Sequence, residues 1–389
     1  MHYLSKEDPR VLRGRTALLR LDFNTEDDWR MRAVLPTIKF LLKNNCKVVI
    51  MSHRGRPTPV VSPASGSVAP SAFRPMSADR KLSLKKDAAA LSRFLRRPVR
   101  FIPDFDFEKI RAMIDRVPGR SIFLLENLRF MIGEEQNDDR LAWRLASLGD
   151  FYVNDAFAVS HRANASVAAI TSHLPSYAGL ELEAEIENLS RVISRPRHPL
   201  VLVVGGAKIS DKLGVLTYFR SKADRFLLGG GPANTVLAER GMDVKQSLCD
   251  RSGDRLAIRN IARYPNVMAP VDEAWKKNAI VDIGPGTAAQ FAEKIRAART
   301  IVWSGPLGLI DEPPFDRGSR TVARAIAANR KALSVAGGGE TVMFIKRARL
   351  DKKFSFISTG GGAMLDFLAG RKLPGLEALA RAKKLNLHR

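Results

Sequence analysis

Two lysines four residues apart, Lys208 and Lys212, follow an apolar run, Leu200–Val204, that ends in Gly205-Gly206. An ammonium group is a mobile point charge suited to phosphate oxygens. Glycine lets a backbone turn sharply and come close to a ligand. The apolar run reads as a buried parallel strand. If the next segment is helical, residues four apart share one of its faces. Strand, glycine turn and paired ammonium groups then make a phosphate cradle at a helix start. The plainer reading is a strand–helix turn with two solvated lysines. Three more apolar runs end in glycine triples, at Gly229-Gly230-Gly231, Gly337-Gly338-Gly339 and Gly360-Gly361-Gly362, and each opens a helical pattern. That repetition favours the cradle.

A second set of chemical groups stands in the first half of the chain: Asp22, Asn24, His53, Arg56, Arg129 and Arg162, with Arg30 a little further along. Each follows an apolar run that reads as a strand, at residues 16–23, 46–52, 121–125 and 151–154; a short strand is also expected at 99–102. Helical patterns lie near 36–43, 84–95, 107–116 and 138–147. Strand and helix alternate, which argues for a parallel sheet with crossover helices. Ligands of such sheets bind beyond the carboxyl ends of the strands. A lone arginine reads as a surface residue. Arginines gathered from successive strand ends suit carboxylate and phosphate oxygens.

Residues 179–194 form a Glu- and Leu-rich helical pattern broken by Arg195-Pro196, and are read as an interdomain helix. Strands are expected beyond it at 200–204, 225–228, 267–270, 300–303, 332–335 and 354–358. The basic tail after Leu373-Pro374-Gly375 is read as packing back on the first domain. Residues 58–82, rich in Pro, Ser and Ala, read as a mobile loop.

At 389 residues the chain suggests two domains. Cys46 and Cys249 are its only cysteines, which implies neither a disulfide framework nor a metal spacing and fits a reducing, cytoplasmic setting. The N-terminus lacks the apolar core of a signal peptide, and no apolar run approaches a membrane span. The formal charge of +24 predicts attraction to anions, or simply a solvated basic surface. The basic residues are scattered. Only 7% of residues are aromatic, and none is interleaved with a basic tract as a base-stacking platform requires.

No G-x-x-x-x-G-K-[ST] loop occurs. Gly284-Pro285-Gly286 reads as a helix start. It is not a dinucleotide site, because the following strand ends in Ser304-Gly305, without the acidic residue such a site needs. Ser52-His53 and Ser160-His161 are sequence neighbours and do not by themselves make a nucleophile and base.

The segments LRLDFN (19–24), PTIKF (36–40), MSHRGRP (51–57), LLENLRF (124–130), GDFYVNDAFAVSHRA (149–163), VVGGAKISDK (203–212), LLGGGPANT (227–235), IVWSGPLG (301–308), AGGGET (336–341) and STGGGAMLDFL (358–368) occur in the order and rough spacing of phosphoglycerate kinases. The chain resembles that family over nearly its full length. The resemblance implies an α/β fold of two Rossmann-like three-layer lobes with parallel sheets, joined by an interdomain helix. The lobes would be 1–178, binding phosphoglycerate, and 195–372, binding nucleotide, with 179–194 between them and 373–389 returning to the first. It implies reversible transfer of the acyl phosphate of 1,3-bisphosphoglycerate to ADP, giving 3-phosphoglycerate and ATP, by a monomer whose lobes close by a hinge. Asp22, Asn24, Arg30, His53, Arg56, Arg129 and Arg162 match the family's phosphoglycerate contacts. Gly206, Lys212, Gly230, Asp311 (ribose), Gly338, Gly339, Glu340 and Thr341 match its nucleotide contacts. Arg30, Lys208, Lys212 and the Gly361 backbone would stabilise the moving phosphoryl group. Glu340 would hold Mg²⁺ through the nucleotide.

The chain departs from the family's pattern in several places. Glu340 stands where the family has Asp, and Ser304 where it has Asn. Ala158-Val159-Ser160 replaces a glycine-containing turn. The segment between Pro270 and Gly284 is shortened, loop 58–82 is lengthened, and Thr25–Asp28 replaces an apolar-proline stretch. These departures leave two alternatives to an active kinase: a kinase-like protein of weak or altered activity, and a basic protein that binds polyanions.

Overall fold

The computed structural model describes residues 1–25, 27–57, 80–250 and 254–385. They form two compact units, Met1–Glu185 with Lys372–Arg389, and Ile186–Arg371.

The first unit holds six strands: β1 (Thr16–Arg20), β2 (Lys47–Met51), β3 (Arg100–Ile102), β4 (Ile122–Leu125), β5 (Phe151–Asn154) and β6 (Ser176–Ala178). Their order is β3-β4-β2-β1-β5-β6, every pair parallel. β1, β4 and β5 are buried along their whole length, as strands covered on both faces must be. Helices Leu35–Lys43, Lys85–Leu95, Phe107–Asp115 and Asp139–Ala146 lie between strands in the chain. The carboxylates of Asp106 and Asp138 start two of them by accepting N–H bonds from Lys109 and Leu141. Leu19, Ile50, Phe151 and Tyr177 centre the core. Sequence reading missed β6, whose three residues are too few for a periodicity signal. It also missed the short helix Trp29–Ala33, which carries Arg30. Of the loop expected at 58–82, residues 58–79 lie outside the described residues, and Arg80–Leu82 form a 3₁₀ turn.

The helix Leu180–Ser194 crosses the division between the units. The first unit fixes its start. Thr37 Oγ1 accepts from the Leu180 N–H at 3.1 Å, and Asp155 Oδ1 from the Leu182 N–H at 2.9 Å. The tail helix Pro374–Arg381 also belongs to the first unit, where the Gly375 N–H donates to Ser160 O.

The second unit holds β7 (Leu200–Val204), β8 (Arg225–Leu228), β9 (Val267–Met268), β10 (Glu273–Lys276), β11 (Ala279–Ile283), β12 (Thr300–Ser304), β13 (Leu333–Gly337) and β14 (Phe356–Ile357). Six of them form a parallel sheet ordered β14-β13-β12-β7-β8-β9. β10 and β11 pair antiparallel as a separate hairpin in the shortened segment, which sequence reading missed. In both sheets the chain first fills one side of its opening strand and then the other. The switch points are therefore β1/β5 and β7/β12, where a ligand crevice opens at the carboxyl ends. No helix among the described residues is long and apolar enough to cross a membrane.

Candidate active site

Beyond the carboxyl end of β1, Asp22 is buried, binds two neighbours and lies close to a third. Its Oδ1 accepts from the Asn24 N–H at 2.8 Å, its Oδ2 accepts from Arg30 Nη1 at 2.7 Å, and His53 Nδ1 lies 3.7 Å away. Burial raises the Asp22 carboxyl, but His53, Arg30, the Asn24 N–H and Arg20 together hold it below its ordinary value. Burial drives His53 well below its ordinary value. Asp22 opposes that shift, while Arg20, Arg129 and Arg162 reinforce it. His53 is thus a neutral hydrogen-bonding group near pH 7. Asn24 Oδ1 takes the Gly55 N–H at 2.8 Å, and Arg129 Nη1 donates to Gly55 O. The loop after β2 is thereby clamped to the ends of β1 and β4. Arg129 also pairs with Glu135 at 3.2 Å, and Arg162 Nε donates to His161 Nε2 at 3.2 Å. Arg56 is exposed, with no hydrogen bond or ion pair among the described residues. Six of the seven expected residues are thus bound to one another or within one another's electrostatic reach, and Arg56 follows the clamped Gly55.

Sequence reading missed what lies beneath them. Arg20, the last residue of β1, is 1% exposed. Its Nε donates to Ser166 Oγ at 2.7 Å, and its Nη2 lies 3.3 Å from His53 Nδ1 and 3.6 Å from Glu134 Oε1. Both Glu134 oxygens accept from Ser166, at 2.6 Å from the hydroxyl and 3.0 Å from the N–H. Tyr152 Oη donates to Ser166 O at 2.7 Å. An arginine inside the apolar run TALLRLDF was the available signal, because a buried charge needs a partner.

In the second unit the ends of β7 and β12 interlock. The Gly205 N–H donates to Ser304 O at 2.9 Å and the Gly206 N–H to Pro306 O at 2.7 Å. A Cβ at Gly205 would stand 2.1 Å from Pro306 O, so no side chain fits. Gly206 has a φ of +87°, and a Cβ there would lie 3.5 Å from Lys212 Nζ, which places that ammonium at the glycine turn. The shared helical face expected for Lys208 and Lys212 is absent. A 3₁₀ turn begins only at Ser210 and the α-helix at Leu213: the Lys212 N–H donates to Ile209 O at 2.9 Å and not to Lys208 O, and the Ser210 N–H is taken by Asp250 at 2.9 Å. Lys208 lies in the preceding loop, exposed. Burial lowers the Lys212 ammonium, and Asp211, Glu340 and Asp250 oppose that shift.

Lys212, Gly206, Gly338, Gly339, Glu340, Thr341 and Gly361 line one cavity of about 630 Å³. Gly338 and Gly361 start the helices Gly339–Arg347 and Gly362–Leu368 with φ of +95° and +53°. The Thr341 hydroxyl is buried and accepts the Gly305 N–H at 2.8 Å, so it braces the β12 turn. Glu340 is exposed in the first turn of its helix and makes no hydrogen bond or ion pair among the described residues. A second cavity of about 630 Å³ adjoins the first, sharing Gly206, Pro306 and Glu340. Gly230, Leu248, Ile280, Leu309 and Asp311 line it. One cavity is rich in glycine N–H groups and charge and the next has apolar walls, which suits a phosphorylated ligand with a flat apolar end. The Asp311 carboxylate is paired with Arg347. Sequence reading missed Leu248 and Leu309, which are exposed hydrophobic residues of the cavity wall. Ser52 Oγ accepts from the Phe23 N–H, and Ser160 Oγ points at Ala156 O, so neither serine is paired with its neighbouring histidine.

The family model for phosphoglycerate kinase matches residues 8–371. A phosphoglycerate kinase of Zymomonas mobilis is 37% identical over 97% of this chain and 100% of its own length. That of Desulforudis audaxviator is 42% identical over 94% and 96%. The solved phosphoglycerate kinase of Coxiella burnetii superposes with a TM-score of 0.80 at 33% identity, covering 98% of this chain and 99% of its own. That of Pyrococcus horikoshii gives 0.82 at 31%, covering 98% of each. With the family model, the relatives and the fold in accord, the chain belongs to the phosphoglycerate kinase family.

Proposed function

We propose that this phosphotransferase binds phosphoglycerate on the Asp22–Arg30–His53–Arg129 cluster and Mg-nucleotide in the two adjoining cavities of the second unit. The reaction moves the acyl phosphate of 1,3-bisphosphoglycerate to ADP, reversibly. Arg56 and Arg162 complete the acidic-triose site. Lys208, Lys212 and the Gly361 N–H act on the phosphoryl group with Arg30. The observation that carries the reading is that both constellations offer cations and backbone N–H groups and neither offers an activated nucleophile. Phosphoryl transfer needs that arrangement, because its catalysis is positioning and charge neutralisation.

The residues fit a nucleotide-borne magnesium. Among the described residues no three His, Cys, Asp or Glu side chains gather as a metal cage. Mg²⁺ usually takes one or two carboxylates, with substrate phosphates and water supplying the rest, and Glu340 is a carboxylate available at the cradle. The protein works as a monomer in the cytoplasm, a reducing setting that its two free cysteines suit. A coupled assay of the full chain with 3-phosphoglycerate and Mg-ATP tests it. Turnover that needs both substrates and magnesium supports the reading, and binding of both without turnover overturns it.

A further inference from the structure

The net charge of +24 has a local counterpart that the reaction does not use. At the amino ends of β1, β5 and β6 lies a cavity of about 630 Å³ lined by Arg15, Asp150, His173, Arg381, Lys383 and Lys384. None of these belongs to the candidate active site. The acidic groups near it are largely committed. Asp150 accepts the Thr16 N–H at 2.7 Å, Asp139 holds His173 at 2.7 Å, and Glu377 reaches Arg381 only at 3.5 Å. Lys383 and Lys384 are exposed, and their ammonium groups have no hydrogen bond or ion pair among the described residues. Their backbone is nevertheless fixed. Lys383 O accepts the Ser176 N–H at 2.9 Å, and the Leu385 N–H donates to Tyr177 Oη at 2.8 Å. Two uncompensated charges are therefore presented from a pinned segment over a concave surface, which focuses the field. The carboxyl end of the helix Pro374–Arg381 opposes an anion here, but Arg381 in its last turn and the two lysines beyond outweigh it.

We propose that this cavity is a second binding site, for a small multivalent anion of the di- or triphosphate class. Its volume falls in the range of small-molecule pockets, whereas a duplex or a bilayer would need an extended face. No Phe, Tyr or Trp side chain lines it, and the one imidazole, His173, is held by Asp139, so it offers no broad platform for a nucleobase. The charge itself is the part of the ligand that is recognised.

The test is lysine acetylation of the full chain, read residue by residue by mass spectrometry, with and without inorganic tripolyphosphate in magnesium-free buffer of matched ionic strength. At about ten times the dissociation constant, mass action predicts roughly tenfold slower modification of Lys383 and Lys384. The exposed Lys352 and Lys353 of the other unit should change less than about twofold, because bulk screening acts on all four alike. In calorimetry, Lys383→Gln with Lys384→Gln should weaken this binding event at least about tenfold, the worth of one charge-assisted hydrogen bond. Lys352→Gln with Lys353→Gln should leave it unchanged. Equal protection of all four lysines, no protection, or protection by duplex DNA or anionic vesicles but not by tripolyphosphate would overturn the proposal.

Discussion

Arg30 Nη1 donates to Asp22 Oδ2 at 2.7 Å, while the buried Arg30 Nε has no partner among the described residues. The carboxylate orders one edge of the guanidinium and leaves another donor unspent. A phosphoryl oxygen reaching the exposed part of the guanidinium, 15% of the side chain, gains most in the transition state, when charge on the moving group is greatest. Arg30→Ala should lower kcat about 100-fold or more and raise the KM for 3-phosphoglycerate less than about tenfold. Arg56→Ala should chiefly raise that KM. Identical steady-state profiles for the two variants would remove the division of roles.

The Arg20–Glu134–Ser166 network beneath the site is almost dry. Removing the Glu134 charge leaves the buried Arg20 with only the Asp22 carboxylate, which Arg30 already engages, at a cost of about 3 kcal/mol. Glu134→Gln should therefore lower the urea midpoint clearly. Tyr152→Phe, which loses one neutral hydrogen bond, should cost about 1 kcal/mol. Equal midpoints for Glu134→Gln and wild type would show that Arg20 needs no counter-charge beyond Asp22.

Burial raises Asp155 to about 6, against hydrogen bonds from Thr37, Leu182 and Glu181 that favour its charged form. An unfolded aspartate titrates near about 3.9. The folded chain thus holds this proton more tightly, so the group's contribution is fully present below about pH 3.9 and is lost as pH rises through about 6. Asp155→Asn keeps an oxygen for the helix start and removes the buried charge. Its stability relative to wild type should improve between about pH 4 and pH 6 and then level off, by up to about 3 kcal/mol. Urea titrations across that range read it out, and a pH-independent difference would contradict the assignment.

Glu340 keeps the charge of an aspartate but adds a rotatable bond whose freezing costs entropy. Misplacement of metal and phosphates by about 1 Å can cost about 100-fold in rate. Glu340→Asp should raise kcat/KM with Mg-ATP, Glu340→Ala should lower it, and the larger Mn²⁺ should narrow the gap between wild type and Glu340→Asp. Unchanged Mg-nucleotide affinity and turnover in Glu340→Ala would end the metal role.

The sheets were legible in the sequence because β1, β2, β4, β5, β7 and β12 are centred on apolar runs that are buried on both faces. The polar ends were legible because residues such as Asp22 and Gly206 interrupt those runs abruptly. Elements without such contrast stayed hidden. β6 is three residues long, the helix Trp29–Ala33 is five, and the β10–β11 hairpin is only half buried. The Lys208–Lys212 spacing misled because the Lys212 N–H closes a tighter turn on Ile209 O, and no periodicity encodes that. Arg20 was visible, but its partners come from far along the chain.

The outer edge of β6 is finished from both directions of the chain. The Ala178 N–H donates to His2 O, and the Ser176 N–H donates to Lys383 O. On the ribosome these two bonds are separated by the synthesis of the whole second unit. When residue 371 has been made, the first unit still lacks the tail that covers its last strand, and the Ser176 N–H remains open to any passing strand. Domains made first usually finish first, but this one must wait, and during that interval a chaperone or a neighbouring nascent chain competes with the protein's own tail for the same edge.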